Sequence, residues 1–142
     1  MASCSDAAGP FVLEPDQALI MEGTIPSCRF ANVVLWNRFL QSFEYRFGER
    51  ISLHQGQMRL NSNRYFIVLS ASNPIPARGR EGDSHRSDSV NAVWMTTQGR
   101  ERGTIFWRFV LPDGSIDTPR TTVVQTDDVM DYLAEVNKRE TL

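Results

Sequence analysis

Apolar residues fall in short runs along this chain, separated by Gly, Pro and Asn. Residues 17–22 (QALIME) and 29–36 (RFANVVLW) are rich in β-formers. Gly23 and Pro26 lie between them, so the two runs predict a strand pair joined by a Pro-bearing turn. Over 37–45 the period changes. Trp36, Leu40 and Phe43 stand at i, i+4 and i+7 with Phe39 alongside, which predicts a short amphipathic helix ended by Gly48. Residues 51–53 and 57–60 predict short strands around Gly56, and Asn61-Ser62-Asn63 a tight turn. Further strands are expected at 65–71, 91–97, 103–111 and 120–125, with turns at Gln98-Gly99 and Pro112-Asp113-Gly114. A last helix starts from Thr126 as cap. Asp127 and Asp128 fall in its first turn, Lys138 and Arg139 in its last, and Val129, Leu133 and Val136 form its apolar stripe.

Many short strands with turns between them predict a mainly β fold, an antiparallel jelly-roll-like β-sandwich with one short internal helix and a C-terminal helix. Residues 1–15, small and punctuated by Gly9-Pro10 and Pro15, read as a flexible N-terminal arm, leaving 16–142 as a single domain. A half-exposed antiparallel strand alternates apolar and polar positions, and several strands here do not. In 103–111, Ile105, Trp107, Phe109 and Leu111 share one face, while Thr104, Phe106, Arg108 and Val110 share the other. In 29–36, Ala31, Val33 and Leu35 face one way and Phe30, Asn32, Val34 and Trp36 the other. Residues 65–71 are apolar on both sides. One cover is the opposing sheet; the other is a helix, a second copy of the chain, or a partner protein domain.

Bulk properties narrow the classes. At 142 residues the chain suits one domain that buries about two-thirds of its unfolded surface. The net charge of -2 gives no electrostatic case for nucleic acid or an anionic membrane. No apolar run reaches the roughly 20 residues of a spanning helix, and the opening residues lack the pattern of a signal peptide, so a cytoplasmic location is expected. Cys4 and Cys28 make no disulfide framework. The basic side is one-sided, fourteen Arg against Lys138 alone. This reflects either base composition or guanidinium forks holding carboxylates or phosphates. Residues 73–89 form a long polar stretch with Ile75 as its one large apolar residue, either a functional loop or a disordered one.

Established catalytic patterns are missing. His54 and His85 have no Cys or His at ligand spacing, so no metal is expected, and no nucleotide or cofactor fingerprint is present. Cys28 has no nearby His, and there is no nucleophile elbow. What stands out is polar chemistry among large apolar side chains. Arg108 and Asn32 each sit on an otherwise apolar face, and Trp36, Asn37, Arg38 and Trp94 accompany them as candidate ligand-binding residues. A buried guanidinium needs a partner, for which Glu22 or Glu44 serve, or else it anchors an anionic ligand. The three Trp either line a ligand cavity or fill the core.

The segments CRFANVVLWNRFLQSFEY, ISLHQGQMRL, GTIFWRFVLPDG and PRTTVVQTDDV together resemble the C-terminal region of proteins carrying the domain of unknown function DUF twelve-fourteen, over residues 17–130. The resemblance implies a β-rich, jelly-roll-like domain that normally follows a longer N-terminal portion, and it implies no catalytic residues. The family's Asn-Trp-Leu motif is altered here, with Ala92-Val93 between Asn91 and Trp94. The reading is a non-enzymatic binding or assembly module. The alternative is a small-molecule enzyme, or a remnant of one, with Arg108 holding an anionic substrate and Glu22 or Glu44 as acid–base.

Overall fold

Eight strands form along the chain: β1 (Cys4–Val12), β2 (Gln17–Thr24), β3 (Phe30–Trp36), β4 (Ser52–His54), β5 (Arg64–Ser70), β6 (Ala92–Thr96), β7 (Arg102–Val110) and β8 (Arg120–Gln125). One α-helix, α1 (Val129–Glu140), closes the described chain. The computed structural model describes residues 4–46, 50–76 and 91–140. Two four-stranded sheets face each other as a sandwich, the first in the order β1-β7-β3-β4, the second β6-β5-β2-β8. All neighbours are antiparallel except β5 and β6, which run parallel, so the sandwich is mixed.

Strand periodicity sets the core. From the first sheet, Ala31, Val33, Leu35, Leu53, Ile105, Trp107 and Phe109 point inward; from the second, Leu19, Met21, Tyr65, Ile67, Leu69, Val93 and Met95 meet them. Trp107 is the hub. Its ring lies 4.9 Å from Tyr65 and 5.5 Å from Phe109, and its indole N–H donates to Met21 Sδ at 3.4 Å. A second cluster lies outside the second sheet, where Ala18, Ile20, Phe66, Val68 and Ala92 pack against Val129 and Leu133 of α1. Val136 completes the helical stripe, as its spacing predicts. The strands apolar on both faces in this sheet are therefore covered by the chain's own helix.

Several expectations need correction. β2 and β3 are not a pair; they lie in different sheets, and residues 25–29 carry the chain between layers. The opening residues are not an arm throughout, because Cys4–Val12 pair with β7 along their length as an edge strand. Residues 57–60 form no strand; Gln55–Gln57 make a 3-10 turn capped by His54, whose Nδ1 accepts from the Gly56 amide at 3.1 Å. Thr126 does not cap through its hydroxyl oxygen. It begins a 3-10 turn, Thr126–Asp128, and its hydroxyl donates to the Asp16 carbonyl at 2.8 Å.

The internal helix expected at 37–45 is also absent. Asn37 Oδ1 accepts from the amides of Phe39 (2.9 Å) and Gln41 (3.1 Å), which is a local side-chain turn competing with the helix. Leu40 takes φ 60, and Ser42 bridges back to Trp36. Phe43 then drops into the core beside Phe11, its ring edge-on at 6.4 Å. The apolar spacing was real, but it serves a plug in a loop. Residues 47–49, with Gly48, and residues 77–90, most of the polar stretch and His85, lie outside the described residues.

Burial pushes the Tyr65 hydroxyl well above its ordinary value. The folded state thus holds this proton more tightly than the unfolded chain does. The resulting stability is complete below about pH 10 and is lost as pH rises through the window above it. Urea unfolding at pH 8 and pH 11 is expected to show this alkaline loss, and Tyr65→Phe to reduce it.

Candidate functional site

The outer face of the first sheet is built by the same alternation that fills the core. With Ala31, Val33 and Leu35 inward, β3 turns Phe30, Asn32, Val34 and Trp36 outward; β7 adds Thr104, Phe106, Arg108 and Val110. β4 contributes Ser52 and His54, and β1 contributes Asp6, Ala8 and Pro10. No helix among the described residues covers this face. Trp36 and Phe106 stack, centroids 4.2 Å apart and planes 15° from parallel, and Phe30 stays 41% exposed. The guanidinium of Arg108 sits 5.5 Å from the Phe106 ring centroid.

Arg108 is half-exposed and pairs with neither Glu22 nor Glu44. Its Nε donates to Asp6 Oδ1 at 3.1 Å, across the β1–β7 register. That pairing raises the affinity of Arg108 for its proton, chiefly through the hydrogen bond to Asp6. The sequence does not point to this partner, because Asp6 lies in a run of small residues that carries no strand signal. Asn32 lies between Arg108 and His54 in the sheet, and its Oδ1 is buried without a hydrogen-bond partner among the described residues. A buried acceptor left without a donor carries an uncompensated desolvation cost.

Of the six candidate residues, Asn32, Trp36 and Arg108 share this face. Asn37 and Arg38 sit at its end in the turn after β3, where Asn37 organises the turn and Arg38 lies 4.7 Å over the Phe39 ring. Trp94 belongs elsewhere. It is on β6 of the second sheet, and its indole N–H donates to Ser70 Oγ at 3.0 Å. Of the three Trp, only Trp107 is in the core.

The carboxylates are also dispersed. Glu22 is 6% exposed on the helix-covered face of the second sheet, in ion pairs with Arg64 (3.3 Å) and Arg120 (3.5 Å). Glu44 is held by Arg46, whose guanidinium and amide hydrogen bonds bring its carboxyl down to about 2. A carboxylate fixed as an anion by its neighbour is poorly suited to exchange protons near neutrality. Arg108, Glu22 and Glu44 do not converge on one cleft, so the set imagined for an enzyme is not assembled. Among the described residues, no three His, Cys, Asp or Glu side chains gather as a metal ligand set. Both cysteines are free, with burial pushing the Cys28 thiol up. Among the described residues, no helix is long and apolar enough to cross a membrane.

No family model matches the chain, and no curated protein does. Solved structures do, two of them as follows. An uncharacterised protein of Burkholderia cenocepacia matches with a TM-score of 0.68 and 29% identity over 87% of this chain. The VPA0106 protein of Vibrio parahaemolyticus matches in fold with a TM-score of 0.56 and 18% identity over 86%. The matching part is 30% and 31% of those chains, so this chain spans about a third of their length.

Proposed function

We propose that this sandwich is a non-enzymatic assembly module that docks a folded protein surface on the outer face of its first sheet, in the first instance a second copy of the chain. The observation that carries the reading is the asymmetry of the layers. One sheet has its outer apolar face under α1, while the other leaves Phe30, Val34, Trp36, Phe106 and Val110 without a cover among the described residues. Asp6 and Arg108 stand side by side on that face, so a two-fold contact lets the Asp6 of one copy meet the Arg108 of the other. In the two longer solved chains the matching fold is likewise only part of a larger chain. The resemblance to DUF twelve-fourteen proteins, where such a domain follows a longer portion, belongs to the same reading. So does a cytoplasmic location, which fits two free thiols.

The test is light scattering across a concentration series, with a dye that reports exposed apolar surface. A dimer is expected, and Phe106→Arg is expected to dissociate it by placing a charge in the aromatic centre. A monomer that binds the dye through this face, with binding lost in Phe106→Arg, moves the docking role to a different protein. A monomer that leaves the dye dark overturns the reading.

A further inference from the structure

One edge of the sandwich is left open. β1 and β8 are edge strands of opposite sheets, and the inward positions of β1 opposite Trp107 and Ile105 are only Ala7 and Gly9. A Cβ built on Gly9 would meet nothing within 4 Å. On the other edge, Val123 is on the core-facing side of β8, opposite Leu19, yet it remains 48% exposed. Between them opens a cavity of about 460 Å³, with Leu19, Met21, Ile105 and Trp107 on its walls. Small side chains on β1 have thus left an apolar slot of the size that holds small molecules, about 300–1,000 Å³.

The slot's charge is one-sided. Asp6 and Asp117 are the ionisable residues of its lining, and no Arg, Lys or His is among them. Asp6 is engaged by Arg108. Asp117, at the mouth, accepts from the Thr24 hydroxyl at 3.3 Å and has no cationic partner among the described residues. We propose that the cleft between β1 and β8 binds a small cationic amphiphile, its apolar body against Trp107 and Met21 and its ammonium head at Asp117. The cleft shares the β1 edge with the docking face, but its apolar walls, Trp107 and Met21, belong to the core between the sheets.

Decyltrimethylammonium below its micelle concentration is the probe, with decanoate and decanol as the anionic and neutral controls, read by calorimetry and tryptophan fluorescence. Saturable one-to-one binding is expected, at least about tenfold tighter than for decanoate, a gap of roughly 1.4 kcal/mol. Gly9→Leu, which fills the slot at a position without positive φ, is expected to abolish binding while the thermal midpoint holds or rises. Asp117→Asn is expected to weaken the ammonium about tenfold and leave decanol unchanged. Equal binding of decanoate, no saturation below millimolar concentrations, or binding that survives Gly9→Leu overturns the proposal. So does binding lost in Phe106→Arg, which would put the probe on the outer face of the first sheet instead. Gly9→Leu is expected to leave the oligomeric state as it was, which separates this test from that of the docking face.

Discussion

Phe43→Ala is expected to lower the unfolding free energy by about 3–5 kcal/mol, the usual range for deleting a buried Phe ring. Phe43 is 1% exposed, among the largest fully buried side chains, although it comes from a loop. Its ring meets Phe11 edge-on at 6.4 Å, and the Arg100 guanidinium lies 5.2 Å from its centroid. Its amide donates to the Leu35 carbonyl at 3.2 Å, fixing the backbone so that the ring can enter. The flanking exposed Phe39 and Leu40 give an internal control, since Phe39→Ala should shift stability by under about 0.5 kcal/mol. Urea denaturation of both variants checks the contrast. Had the segment been the amphipathic helix that its spacing suggests, Leu40 would lie with Phe43 on the buried stripe, and Leu40→Ala would cost a comparable amount. The structure instead leaves Leu40 exposed at φ 60, so that substitution should be nearly silent.

The same residues show what sequence reasoning reads well here and what it does not. Strands β2, β3, β5, β6, β7 and β8 were readable because runs of β-forming residues and bounding Gly, Pro and Asn are local signals. The turn at Gln98-Gly99 was readable for the same reason, and both residues take positive φ, 55 and 73. Which strand pairs with which is not local. Residues 25–29 look like a hairpin turn, but they cross between layers, because the inward faces of β2 and β3 must meet across the core. β1 was missed because its residues are small and polar, and its pairing with β7 is set by register with a distant strand. That one omission hid the Asp6 partner of Arg108 and also the open slot behind Ala7 and Gly9. Conversely, the apolar doubling of β3 and β7 pointed correctly to an outer face bearing Trp36, Phe106 and Asn32. It could not say which doubled strands the terminal helix would cover.

Leu133→Ala separates the covered sheet from the uncovered one. Leu133 is buried in α1 against Ala18, Ile20, Phe66 and Val68, so its truncation leaves a cavity under the helix. A loss of about 2–5 kcal/mol is expected. Helix propensity does not add to it, because Ala is the best helix former, so the loss reports packing. Val34→Ala removes two methyl-sized groups from the outer face of the first sheet, where the side chain is only half-buried. For the isolated chain it should cost about 1 kcal/mol or less. The informative variable is protein concentration. If the first sheet docks a second copy, the cost of Val34→Ala should grow as the dimer populates, since partner binding adds to folded-state stability by mass action. The cost of Leu133→Ala should stay constant, because its cover travels with the chain. Equal costs at every concentration would mean that no second copy rests on Phe30, Trp36 and Phe106. The exposed aromatic face would then have to be matched to a different protein surface.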